Sequence, residues 1–135
     1  MGTRRQARIA AFQALYAWEE SRPELDELLK FEWMERKPDE KTVVFASLLV
    51  GGTVENLESV DDYIRRHLKN WSFERLSRVD LAILRTSAYA LVYQKDIPPS
   101  VTIDEAVEIA KKYGSPESYR FVNGVLDGIR KATLS

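Results

Sequence analysis

Apolar residues recur every three or four positions along most of this 135-residue chain, which is the period of an amphipathic helix. No segment alternates between apolar and polar residues over a useful length, so β-strands are not indicated. The chain has no internal repeat and no low-complexity tract. The pattern predicts an all-α fold, a compact bundle of six to seven helices, and a single domain over residues 1–135.

The first predicted helix covers residues 4–20, which contain neither glycine nor proline and are rich in alanine, a composition that favours helix. On a helical projection, one side of this segment carries the apolar residues Ile9, Phe12, Leu15 and Tyr16. Arg5 and Arg8 fall in the same arc. We therefore expect the basic first turn to project beyond the core.

Helix-breaking residues divide the next part of the chain. A break at residues 21–23 precedes a second helix that includes Leu25 and Trp33, and a proline at position 38 ends it, because proline disfavours helical geometry in the residue before it. A long helix then runs from Glu40 to about Leu68. Its weak point is the pair Gly51 and Gly52, which predicts either a bend or a close crossing with another helix.

Capping patterns predict where the last three helices begin. Ser77 to Asp80 matches a capping box and starts a helix that ends at Tyr93, and Thr102 to Glu105 matches a second box in which Glu105 is the cap partner. Gly114 is expected to end that second helix in the left-handed conformation. Ser115 is expected to cap the last helix, with proline at its first position.

Glycine spacing in the last helix predicts close packing. Gly124 and Gly128 lie four residues apart, so both fall on one side of a helix. We expect this side to let a neighbouring helix approach closely, and the apolar face of the same helix to enter the core.

Composition excludes several classes of protein. The chain has no cysteine and a single histidine, His67, which rules out disulfides, cysteine-ligated metals and thiol nucleophiles and makes a Ser-His-Asp triad improbable. We expect no catalytic residues, no metal and no cofactor. The acidic stretch Glu19 to Glu40 is interpreted as a solvated surface.

The charge pattern bears on location and on partners. The longest uncharged run, Thr42 to Val54, is far shorter than the roughly 20 apolar residues that span a bilayer, and no secretory signal follows the N-terminus. We therefore expect a cytoplasmic protein without a membrane segment. The net charge of −1 gives no global sign of nucleic-acid binding, so any such sign must come from local clusters.

The first local cluster is Arg4, Arg5 and Arg8, with no acidic residue before Glu19. Cations at a helix N-terminus are unfavourable for stability, because they face the positive end of the helix dipole. The functional interpretation is a phosphate-binding arm. The alternative is a solvated terminus that serves only solubility.

A second cluster combines Tyr119, Arg120 and Phe121 near the start of the last helix. Unpaired bases stack on aromatic rings while arginine holds the phosphates, as in single-stranded RNA recognition. Tyr119 and Arg120 are expected to be exposed. The helical phase of Phe121 favours the core over the surface.

Several motifs together resemble the NusB family of bacterial transcription antitermination factors. The resemblance is carried in order by RRQAR, QALYAW, VDLAILR, KKYG and FVNGVLD, at residues 4–8, 13–18, 79–85, 111–114 and 121–127. It implies an all-helical fold of two packed helical subdomains. It also implies a protein that is not an enzyme, binds boxA RNA of rRNA leader transcripts together with NusE, a small-subunit ribosomal protein, and acts on RNA polymerase to suppress termination.

The resemblance also implies roles for individual residues. The RNA contacts would be Arg4, Arg5, Arg8, Tyr16, Tyr119, Arg120 and Phe121. Asp80 matches an acidic position on the face that the family uses for NusE. These roles require that the arginine cluster and the last-helix cluster form one continuous cationic surface, whereas locking the arginines into carboxylate pairs would argue against RNA binding.

Two other functions stay open at this point. The first alternative is an adaptor between proteins that does not hold RNA. The second is an accessory domain of an rRNA methyltransferase. An end at Ser135 favours the stand-alone form over the accessory domain. The oligomeric state is not readable from the sequence, and a homo-oligomer is one option.

Overall fold

The computed structural model describes residues 3–134, and every regular element among them is helical. One short 3-10 turn, at Phe73–Arg75, accompanies seven α-helices among these residues. The helices are α1 Thr3–Ser21, α2 Leu25–Leu28, α3 Glu40–Glu55, α4 Leu57–Arg66, α5 Arg78–Tyr93, α6 Pro99–Tyr113 and α7 Ser118–Thr133. The predicted all-α fold is confirmed.

Helix α5 is the centre of the structure. All its residues from Leu81 to Ala88 are buried, as in a helix that is surrounded on every side. It packs against α1, α3, α4, α6 and α7. Its predicted start is confirmed, because the Ser77 hydroxyl accepts a hydrogen bond from the Asp80 amide at 3.1 Å.

A buried ion cluster joins α5 to α1 and α4. The Arg85 guanidinium donates to both carboxylate oxygens of Asp61, each at 2.9 Å, and to Glu19 at 2.9 Å. Burial alone would lower the pKa of Arg85, but its hydrogen bonds to the two carboxylates outweigh burial and raise it. The Arg85 hydrogen bond lowers the pKa of Glu19 in turn. Both shifts favour the charged forms of Arg85 and Glu19.

Helix α1 buries Phe12 and Leu15 of the predicted side, but the rest of its buried face consists of alanines. Its fully or nearly fully buried residues are Ala7, Ala10, Ala11, Phe12, Ala14 and Leu15. Tyr16 is 37% exposed, and Ile9 is half-buried. The prediction weighted large apolar residues, whereas alanines allow the α1 backbone to lie close to α3 and α5.

The predicted long helix is in fact two helices that meet at Asn56. Helices α3 and α4 form an angle of 79°, and the Asn56 side chain donates to the Gly52 carbonyl at 2.8 Å. The two glycines do not form the bend. A Cβ at Gly52 would overlap the Tyr89 ring of α5, whereas a Cβ at Gly51 would have no neighbour within 4 Å. The close crossing is thus confirmed, at Gly52.

Within residues 3–134, no single helix is long and apolar enough to cross a membrane. Taken together, α3 and α4 have the length and the apolar composition of a membrane span, but they are bent by 79° where they meet. The inner side of this pair packs in the core, where Leu49, Val50, Val60 and Ile64 are buried.

Helix α2 is much shorter than predicted, because it ends at Leu28. Phe31 follows with a φ of 56°, a left-handed conformation that a helix cannot continue through. Its ring is nonetheless fully buried. Trp33 lies outside any helix, and its indole nitrogen donates to the Leu28 carbonyl at 2.9 Å.

The predicted starts of α6 and α7 are wrong. Helix α6 begins at Pro99, whose fixed φ suits a first helical position, and Thr102 lies buried inside the helix. Gly114 is extended, with φ −92° and ψ −172°, not left-handed. Helix α7 begins at Ser118, whose hydroxyl accepts from the Ser115 amide at 2.9 Å.

The two glycines of α7 differ in their surroundings. A Cβ at Gly128 would lie 2.9 Å from Cδ2 of His67, so close packing is confirmed there. A Cβ at Gly124 would have no neighbour within 4 Å. The predicted close approach at Gly124 is wrong, because this position faces outward.

Removing the Arg85 side chain is expected to destabilise the fold strongly. Arg85→Ala leaves Asp61 buried without its cation, a change that typically costs about 3–5 kcal/mol. The control is Arg66→Ala, which breaks an exposed pair with Asp62 on α4 and should cost under about 0.5 kcal/mol. Urea unfolding measures both variants, and equal losses would contradict a structural role for the buried cluster.

The neighbouring glycines of α3 should respond in opposite directions to alanine. Gly51→Ala is expected to stabilise the protein by about 0.5–1 kcal/mol, because alanine is the better helix former and the space is open. Gly52→Ala must displace the Tyr89 ring and is expected to cost about 1–3 kcal/mol. Thermal melting of the two variants decides whether α3 and α5 cross at Gly52.

Candidate nucleic-acid interface

The three arginines of the α1 cluster lie in different environments. Arg4 is exposed and its guanidinium lies 4.2 Å from the centroid of the Phe45 ring. The Arg8 side chain is only 12% exposed and lies 5.5 Å from the same centroid. Burial lowers the pKa of Arg8. Arg4 therefore presents its charge to solvent, whereas Arg8 is largely part of the packed surface between α1 and α3.

Arg5 is paired with a carboxylate from α6. Its Nε donates to Oε1 of Glu105 at 2.8 Å, and its Nη2 donates to Oε2 at 2.6 Å. Oε1 of Glu105 also lies 4.0 Å from Nη1 of Arg8. The hydrogen bond from Arg5 lowers the pKa of Glu105. Glu105 is thus an ion-pair partner of α1 and not the helix cap that the spacing predicted.

The second predicted cluster lies at the start of α7. Arg120 is exposed and its Nε donates to the Tyr119 hydroxyl at 3.0 Å. Tyr119 is half-buried. Phe121 is also half-buried, and its ring meets the Trp71 ring edge-on at a centroid distance of 6.0 Å. The expectation that Phe121 belongs to the core is therefore only partly met, because part of the ring stays accessible.

Two lysines at the end of α6 connect the two clusters. Lys111 Nζ lies 5.3 Å from the Tyr119 ring centroid. A depression of about 280 Å³ is lined by Lys111, Lys112 and Arg5, together with Ile9, Glu108 and Ile109. The depression and Lys111 thus link Arg5 of the arginine cluster to Tyr119 of the α7 cluster. We call the surface that these residues share the α1–α6–α7 surface. Sequence reasoning missed both lysines, although two adjacent cations in the KKYG motif were a usable signal.

A larger cavity, of about 630 Å³, lies next to Phe121. Its lining includes the aromatic residues Trp71, Tyr113 and Phe121 and the cations Arg75 and Arg120. Asp80 also lines it, and its Oδ1 is buried without a hydrogen-bond partner among the described residues. The cavity therefore combines stacking surfaces, two cations and one unsatisfied acceptor.

Tyr16 is 37% exposed and is not among the residues that line this cavity. One helical turn before it, Phe12 packs on Tyr113 at a ring-centroid distance of 5.1 Å, and Tyr113 lines the cavity. One turn after it, Glu20 pairs with Arg78, whose two chain neighbours also line the cavity. The residues one turn before and one turn after Tyr16 thus contact the lining of the cavity or its chain neighbours, and Tyr16 lies between them on α1.

The chain is similar over most of its length to proteins of one family. The model of the NusB family matches residues 5–131. The chain belongs to the NusB family. The transcription antitermination protein NusB of Treponema pallidum (strain Nichols) is 50% identical over 131 residues, which are 96% of this chain and 93% of that protein.

Solved structures of the NusB family agree with this assignment. The structure of T. maritima NusB has a TM-score of 0.87 and 45% identity, covering 98% of this chain and 93% of that one. A structure of antitermination factors NusB and NusE in complex with dsRNA has a TM-score of 0.87 and 34% identity, covering 98% of each chain. The NusB fold is therefore shared over almost the whole length.

The pairing of Glu105 with Arg5 is expected to affect the titration of the Glu105 carboxyl. A ¹³C NMR titration of the Glu105 carboxyl should give a pKa below the ordinary range of glutamate, because ionised Glu105 accepts two hydrogen bonds from Arg5. Folded stability from this pair is therefore present at neutral pH and lost as the pH falls through that lowered pKa. In Arg5→Ala the pKa should rise towards its ordinary value. An equal pKa in both proteins would contradict the pairing.

Proposed function

We propose that this protein is a transcription antitermination factor that binds boxA RNA of rRNA leader transcripts together with NusE and acts on RNA polymerase. The observation that carries the proposal is the continuity of the α1–α6–α7 surface, which joins Arg5 of α1 to Tyr119 of α7 through Lys111. Membership in the NusB family, with a related NusB solved beside NusE and dsRNA, supports it. The described residues act as one RNA-binding domain, in the cytoplasm where transcription takes place.

Binding divides between cations that hold the backbone and rings that hold bases. Arg4, Lys111 and Arg120 are exposed and place positive charge where phosphates can reach it. Arg5 adds a planar fork suited to a phosphate, and Arg8 contributes its charge from a more buried position. Tyr16, Tyr119 and Phe121 offer accessible ring area for stacking, which tolerates any base.

Sequence discrimination and assembly are assigned to the partner and to the cavity side of the surface. Asp80 is proposed to take part in binding NusE, because its buried Oδ1 accepts no hydrogen bond from the described residues and is able to accept one from a partner. The near-neutral net charge of −1 favours modest RNA affinity by this protein alone, because it gives little long-range attraction to the phosphates. Binding is therefore expected to be tighter with NusE present. The role is one of binding and not of catalysis.

A second candidate is an adaptor that contacts proteins but does not hold RNA. The pairing of Arg5 with Glu105 favours it, because the pair removes one of the three predicted phosphate contacts from the free protein. The two candidates differ in a single measurable property, the affinity for boxA RNA. A gel shift with boxA RNA, with and without NusE, distinguishes them.

Removing one lysine of the α1–α6–α7 surface should weaken RNA binding through lost phosphate contact. Lys112→Ala is expected to lower the affinity for boxA RNA, with NusE present, by about three-fold, and to reduce the slope of log K against log salt by about 0.7. Fluorescence anisotropy at several salt concentrations measures both quantities.

The matched control is Lys131→Ala near the far end of α7, where Lys131 pairs with Asp127. This variant removes the same charge outside the α1–α6–α7 surface and should bind RNA with nearly unchanged affinity and slope. Equal effects of the two variants would show that only net charge matters. Absence of RNA binding by the unmodified protein, even with NusE, would favour the adaptor.

A further inference from the structure

The ion pair between Arg5 and Glu105 engages an edge of the Arg5 guanidinium that is also suited to an RNA phosphate. Nε and Nη2 form one edge of the guanidinium. Nε donates to Oε1 of Glu105 at 2.8 Å, and Nη2 donates to Oε2 at 2.6 Å. This edge is one of those through which arginine donates to two oxygens of a phosphate in the same bidentate arrangement. In the free protein, Glu105 therefore occupies one edge of Arg5 that is able to bind a phosphate.

The arrangement also contains a second cation for Glu105. Arg8 Nη1 lies 4.0 Å from Glu105 Oε1, longer than a hydrogen bond, and its side chain is 12% exposed. If Arg5 turned outward, Glu105 would keep this neighbour, so its carboxylate would not be left without a counter-charge. Arg5 itself is 41% exposed, so its side chain has room to turn towards solvent.

We propose that Glu105 competes with RNA phosphate for Arg5, so that RNA binding transfers Arg5 from Glu105 to the phosphate and leaves Glu105 to Arg8. This inference rests on the proposed RNA-binding function. In this scheme, Glu105 controls how strongly Arg5 of α1 binds an RNA phosphate. The carboxylate lowers affinity for any phosphate chain and does not read bases, so its effect is the same for all RNA sequences.

Competition and support make opposite predictions for Glu105→Gln. If Glu105 competes, the neutral amide holds Arg5 less strongly, and affinity for boxA RNA with NusE present rises by about three- to five-fold, the scale of one partly exposed ion pair. The salt slope should steepen by about 0.7, because one more phosphate contact forms at full strength. If Glu105 instead holds Arg5 in the binding orientation, the same variant binds RNA more weakly, which overturns the proposal.

Asp104→Asn is the matched control. Asp104 is the preceding residue of α6, is exposed, and forms no ion pair among the described residues. This variant removes the same charge near the surface without releasing Arg5, and is expected to change affinity by less than about two-fold. An equal gain in both variants would leave only a general charge effect and would overturn the competition.

A double variant and a measurement on the unmodified protein complete the test. In Arg5→Ala with Glu105→Gln, the gain from Glu105→Gln should vanish, because its target is absent. In the unmodified protein, the ¹³C resonance of the Glu105 carboxyl should shift when boxA RNA is added, a readout that does not depend on how well a variant folds. If the protein binds RNA but the Glu105 resonance does not shift, this inference alone is overturned. If the protein does not bind RNA even with NusE present, the proposed function is overturned.

Discussion

Three helices of this protein meet at the buried guanidinium of Arg85, and the rest of the structure depends on that junction. Arg85 of α5 holds Asp61 of α4 and Glu19 of α1 with all its hydrogen bonds at 2.9 Å. A buried pair of this kind adds little net stability over apolar packing, but losing one partner is costly. The junction therefore acts mainly as a constraint on how α1 and α4 sit against the central helix.

That constraint positions the candidate interface. Glu19 lies near the end of α1, so the junction anchors one end of this helix while its alanine face packs along α3 and α5. The opposite end, with Arg4 and Arg5, is thereby directed to α6, where Glu105 meets it. Helix α6 in turn brings Lys111 and Lys112 next to the start of α7. The interface is thus assembled from three helices that each pack on α5.

The electrostatics of the surface are balanced and not simply basic. Arg4 lies on an aromatic ring, Arg5 is paired with Glu105, and Arg8 is largely buried, so the three arginines of one motif contribute unequally. A protein with a net charge of −1 gains little from long-range attraction to RNA. Under the proposed function, local geometry and the partner would then supply the affinity for RNA.

The sequence alone determined the helical class, the helix start at Ser77, a bend or close crossing at the glycine pair, and the two clusters of the candidate interface, because these depend on local periodicity, capping and residue type. It did not predict the alanine side of α1, the break at Asn56 or the open surroundings of Gly124, since these follow from how closely backbones approach. It also missed the pairing of Arg5 with Glu105, one hundred residues apart in the chain. Only the tertiary structure decided which arginine faces solvent and which faces a carboxylate, because charges distant in sequence interact through space.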